Sequence, residues 1–187
     1  MSPIRLLPLA TLVALAGCGG TASKTLVDPG RTEKAVETAL AATVASFNAR
    51  DLAANIASNA PDVMLLSPGK PPLVGVNADR DAMKALMADP LAHYELTDTV
   101  IDTAGSGEFA VARSLYAFTS TDPATKAKQL GHGTLVTEWK VQPDASVKLA
   151  WSVSVPMPDS GVAPMKAALA AARPEAIKAA ATDWPKP

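Results

Sequence analysis

The chain has 187 residues, with 17 Lys and Arg against 18 Asp and Glu for a formal net charge of −1, one cysteine and 4% aromatic residues. A single cysteine excludes an internal disulfide framework. The near-neutral balance, with no run of Lys or Arg, excludes the basic footprint by which proteins hold nucleic acid.

Arg5 is the only charge before Lys24, and residues 6–17 form an apolar stretch too short to cross a bilayer. A basic start followed by such a run is a secretory signal. The run ends in Leu15-Ala16-Gly17-Cys18, which resembles the bacterial lipobox. The resemblance implies cleavage before Cys18 and acylation of its thiol, so that residues 1–17 are the lipoprotein signal peptide. Each buried CH₂ contributes about 0.8 kcal/mol, so two or three acyl chains, palmitate among them, anchor the mature chain durably. Gly19 after the cysteine, in place of Asp, implies a place in the cell envelope on the periplasmic face of the outer membrane.

Residues 18–32 have no apolar period and read as a tether. From Glu33 to Ala49 apolar residues recur at Val36, Leu40, Val44 and Phe47, which predicts a helix with Thr32 as its N-cap. Asp51 caps a second, short helix through Ala57. Val63 to Leu66 is a short buried strand, closed by a turn rich in proline. Asp79 to Met87 is again helical. After Pro90 the period falls to two, giving four long strands: Ala92 to Thr103, Phe109 to Ser120, Gly131 to Gln142 and Val147 to Val155. Short turn-like breaks between them predict an antiparallel meander. The order predicts an α+β fold, a curved antiparallel sheet wrapped over the N-terminal helices. Residues 157–187 form an Ala- and Pro-rich helical extension, with helices Met165 to Ala172 and Pro174 to Ala181, expected to cover a sheet edge or the open mouth of the cone.

The segments Phe47-Asn48-Ala49-Arg50-Asp51-Leu52, Pro61 to Gly69, Gly133 to Trp139 and Lys148 to Trp151 resemble the nuclear transport factor 2-like superfamily, also called ketosteroid isomerase-like or SnoaL-like. The likeness spans residues 33–156 and implies a cone-like, cystatin-like fold. The isomerases of that superfamily use a carboxylate base, a tyrosine and a protonated acid. The matching positions here are Ser67, near Thr43 and near Thr137, so the resemblance implies that this catalytic set is lost.

Ten residues are candidates to line a pocket: Met64, Leu66, Tyr94, Arg113, Tyr116, Phe118, His132, Glu138, Trp139 and Trp151. The aromatic and apolar members could wall the cone or simply fill it. Trp139 and Trp151, on adjacent strands, are expected to be buried cross-strand neighbours. His132 shares a strand face with Glu138, which allows either a solvated face or a proton-transferring pair. His93, beside Tyr94 and Glu95 at a strand start, reads as structural or exposed. Arg113 lies on an apolar face and must be paired, with Glu95 or Asp98 as partners, or must meet an anion. Neither histidine has metal-ligand spacing, so no metal and no cofactor is expected.

Three functions follow. The first is a lipid-anchored envelope protein that binds a small apolar ligand or a protein partner without catalysis. The second is a SnoaL-like isomerase, cyclase or dehydratase on a hydrophobic substrate. The third is a structural homodimer formed through the outer face of the sheet. An open cone lined by two or more converging titratable groups favours the second, whereas a cone filled by side chains favours the third.

Overall fold

The computed structural model describes residues 27–173. The predicted signal peptide, Cys18 and the predicted helix at 174–181 lie outside the described residues.

Helix α1 (Pro29–Asn48) starts four residues before the expected boundary, because Asp28 and not Thr32 caps it. The Asp28 carboxylate accepts from the Gly30 N–H at 3.2 Å, and Pro29 occupies the first turn, where its missing N–H costs nothing. Thr32 is buried inside the helix and donates its hydroxyl to the Gly107 carbonyl at 2.7 Å. The end of the predicted tether therefore belongs to the fold. Asp51 caps α2 (Leu52–Ile56) as expected, accepting from the Ala54 N–H at 2.9 Å.

Strand β1 (Asn59–Leu66) is followed by a two-residue strand β2 (Leu73–Val74), inside a segment whose prolines predicted only a turn. Gly75, at φ 86°, starts α3 (Val76–Met87), three residues earlier than predicted. Then come β3 (His93–Thr103), β4 (Phe109–Thr121), β5 (Lys128–Val141) and β6 (Val147–Met157). The last described element, α4 (Asp159–Ala171), begins six residues before the predicted Met165. Gly161 and Pro164 hid that start. Pro164 sits early enough that it leaves only the carbonyl four residues back without its N–H partner.

The strand order is β2-β1-β6-β5-β4-β3. Strands β3 to β6 form the predicted antiparallel meander, while β1 joins β6 in parallel, a pairing that alternation along the sequence does not encode. Helix α1 packs on the inner face, where Val36 and Leu40 meet Val63, Ala110, Ala112, Trp139, Val147 and Leu149. Helix α4 packs on the opposite, outer face. Its Leu169, with Val162 and Met165, rests on Val100, Leu115 and Met157. Within the described residues the C-terminal extension thus covers part of the outer sheet face, over β3 and β4.

Candidate functional site

The structure divides the ten candidates between the two faces. Alternation puts Tyr94, Tyr116, Phe118 and Trp139 inside. Tyr94 stacks on Tyr116 with ring centres 5.9 Å apart, and Phe47 of α1 meets both Tyr94 (6.1 Å) and Phe118 (6.0 Å) edge to face. Such pairs stabilise by about 0.5–1.5 kcal/mol beyond their burial. The Tyr116 ring lies over Gly133, where an added Cβ would come within 2.4 Å of it. Burial pushes both tyrosine hydroxyls up from their ordinary pKa, Tyr94 the more strongly and with a further push from Tyr116. Trp139 is 1% exposed and donates its indole N–H to the Thr137 hydroxyl at 2.9 Å. These residues line the inner face, Phe47 and Trp139 buried and Tyr94, Tyr116 and Phe118 part-buried.

The segment that carried the family likeness holds this cluster in place. Asn48 bridges the Tyr94 backbone, its amide donating to the carbonyl and accepting from the N–H, both at 2.9 Å. Arg50, at φ 62°, donates to the carbonyls of Asp89 (3.1 Å) and Ala92 (2.7 Å), and its guanidinium lies over the Phe47 ring at 5.9 Å. Asp89 in turn accepts from the Thr121 N–H and hydroxyl, which hold its carboxyl below its ordinary pKa. These polar residues tie the α1–α2 corner to the start of β3.

The three positions that the resemblance matches to the isomerase set carry hydroxyls, each within reach of a hydrogen-bond partner. Thr43 donates to the Ala39 carbonyl of its own helix at 2.9 Å. The Thr137 hydroxyl receives the Trp139 indole. Ser67 lies at an exposed end of β1, 3.3 Å from the Ser154 hydroxyl. Buried Ser114 is likewise paired, with Thr99 at 2.8 Å. Asp79 is a buried acid that the sequence reading missed: desolvation raises its pKa, and Asn59 donates to it at 2.5 Å. Only its burial distinguishes it, and a helical position gives no sign of that.

The outer face carries Met64, Leu66, Arg113, His132, Glu138 and Trp151. Trp151 is directly opposite Glu138 and beside Met64, and donates its indole N–H to Glu138 Oε2 at 2.7 Å. It is therefore neither a cross-strand neighbour of Trp139 nor fully buried. The reason is a bulge: Trp139 pairs with Leu149 while Glu138 pairs with Trp151, so Ala150 is an extra residue that reverses the alternation. The predicted His132–Glu138 pair does not form. His132 instead meets Asp159 of α4 at 2.8 Å, six residues and about 20 Å of strand from Glu138. Arg113 is paired, as its apolar face requires, but to Asp102 and not to Glu95 or Asp98. Asp98 faces Lys166 of α4 at 3.6 Å, and Glu95 pairs with exposed His93. Among the described residues no group of three His, Cys, Asp or Glu could hold a metal ion, and no helix is long and apolar enough to cross a membrane.

Two depressions lie outside the cone. One, ≈450 Å³, is bounded by Leu52, Ile56, Val76 and Arg80. The other, ≈390 Å³, is a groove on the outer face that brings together Met64, Leu66 and Trp151 with Pro61, Lys140 and Lys148. The two lysines were not among the sequence candidates. Their cross-strand position is set by the turn that Gln142 and Ser146 close, on the near side of the bulge.

The chain matches no protein-family model and no curated protein. Solved structures do match. A ketosteroid isomerase-like protein from Erwinia carotovora atroseptica superposes with a TM-score of 0.56 at 23% identity, over 67% of this chain and 95% of its own. A proposed dehydratase of the nuclear transport factor 2-like family from Streptomyces avermitilis gives 0.60 at 17% identity, over 70% of this chain and 99% of its own. The fold is nuclear transport factor 2-like. A further structure with this fold is a proposed calcium/calmodulin-dependent protein kinase II association domain from Xanthomonas campestris, with a TM-score of 0.57 at 15% identity over 66% of this chain and 86% of its own. The names of these nuclear transport factor 2-like neighbours span catalysis and association, so the fold by itself assigns no activity.

Proposed function

We propose that the protein is a lipid-anchored cell-envelope protein, held through Cys18 at the periplasmic face of the outer membrane, that binds a small apolar ligand without catalysis. The anchor rests on Leu15-Ala16-Gly17-Cys18. One observation carries the binding reading: on the inner face Phe47, Tyr94, Tyr116 and Phe118 pack on one another, whereas the outer face has a groove lined by Met64, Leu66 and Trp151. With hydroxyls at the base and donor positions, no group there is placed to move a proton from carbon.

A homodimer through the same outer face is the second reading. Met64, Phe109 and Val155 are 40%, 39% and 46% exposed on it, and a symmetric pair would cover all three twice over. Native mass spectrometry of the protein extracted from its own membranes separates the two. A diacylated chain beginning at Cys18, monomeric and retaining a small apolar molecule, is expected. A dimer without ligand would favour the second reading, and a free Cys18 thiol with the leader still attached would overturn the anchor.

A further inference from the structure

We propose that the outer-face groove takes a single-chain amphiphile with an anionic head group, drawn from the membrane to which the chain is tied. This rests on the lipid anchor for the source of the ligand, and on the groove alone for its chemistry. The floor is apolar, made by Pro61, Met64, Leu66, Ala150 and Trp151. At ≈390 Å³ it lies near the lower end of the roughly 300–1,000 Å³ of small-molecule sites, which suits one acyl chain better than two.

The rim supplies the charge. Lys140 of β5 and Lys148 of β6 stand directly opposite each other and both line the groove. Like charges so placed repel, and an anion between them turns that repulsion into binding. Each lysine is faced by one carboxylate that is also held elsewhere, so an anionic head group competes with it. Glu138 is 3.6 Å from Lys140 through one oxygen, while its other oxygen holds the Trp151 indole. Asp144 interacts electrostatically with Lys148 but also accepts from the Ser146 N–H and hydroxyl within its own turn. Asp62, also lining the groove, sets the lysine side as the place for an anionic head. Lys148 donates to the Ala57 carbonyl at 2.6 Å, which leaves two of its three N–H donors for a ligand.

Reach gives the source. The Val27 N–H donates to the Ser106 carbonyl at 3.1 Å and Thr32 to Gly107, so the chain enters the fold beside the β3–β4 turn. The Val141 N–H donates to the Glu108 carbonyl at 2.9 Å, which puts the Lys140 end of β5 at that same turn. Cys18 precedes Val27 by nine residues, a span of at most roughly 30 Å. An acylated Cys18 therefore keeps the lysine rim close to the bilayer surface.

The test uses the mature chain, residues 18–187 with Cys18→Ser, titrated calorimetrically with laurate, dodecyltrimethylammonium and dodecanol below their micelle concentrations. Laurate should bind one to one and at least about tenfold more tightly than the cation. The double variant Lys140→Ala, Lys148→Ala should lose about tenfold or more in laurate affinity while keeping its dodecanol affinity and its denaturation midpoint. Equal affinity for anion and cation, laurate binding indifferent to the lysines, or self-association that buries Trp151 and excludes laurate would each overturn the proposal. Because this chain carries no acyl group, such a failure leaves the anchor standing. A free Cys18 thiol in the native protein would remove the membrane source and leave the groove's selectivity intact.

Discussion

Trp139 and Trp151 lie on adjacent strands of one sheet, yet they live in different molecules' worth of chemistry. Trp139 is sealed under α1 with its N–H on a buried threonine; Trp151 is part-buried over a groove with its N–H on a carboxylate that also faces Lys140. The inner face is a core that happens to have the shape of a binding cone. The outer face, only partly covered by α4, keeps apolar side chains and charges within reach of solvent. The same sheet thus presents a packed aromatic cluster on one face and a mixed apolar and charged surface on the other.

That contrast can be broken most sharply at Trp139. Trp139→Ala should cost about 3–5 kcal/mol, read as a lowered denaturation midpoint, because its cavity opens among α1 and four strands with no side chain free to fill it. Alkaline titration probes the same face. The folded pKa values of Tyr94 and Tyr116 lie above the unfolded value of about 10, so their contribution is fully present below that pH and is lost as pH rises through the folded values. Unfolding and tyrosinate absorbance should rise together above about pH 10, where an exposed tyrosine would ionise with no change in fold. Gly133→Ala, which forces a methyl against the Tyr116 ring, should cost about 1–3 kcal/mol by the same denaturation assay. Trp151→Ala on the outer face should cost the least, about 1 kcal/mol. A larger loss there than at Trp139 would reverse the assignment of core and surface.

Much of the architecture was legible because it rests on local rules. The period of α1, the Asp51 cap and the order of the four long strands β3 to β6 depend on neighbours in sequence, and they stand where they were expected. What failed depends on register. Ala150 adds one residue to β6, and with it Trp151 moves to the face opposite Trp139, a displacement no pattern of residue types announces. The partners of His132 and Arg113 were missed for a related reason. Asp159 belongs to a helix hidden by Gly161 and Pro164, and Asp102 becomes the partner only after the irregularity between Thr97 and Val100 has shifted β3 along β4. Of the candidate site, Met64, Leu66 and Trp151 came together as one lining, but on the face where the sequence reading had not looked for it.

The central claim is that ligands meet the outer face and not the cone, and the two tryptophans report on it directly. Labelling the chain with 5-fluorotryptophan and assigning each resonance by a Trp→Phe variant allows both faces to be watched by fluorine NMR during a laurate titration. The Trp151 signal should move saturably while Trp139 stays fixed. Movement of Trp139 with Trp151 unchanged would place the ligand inside the cone and contradict this account.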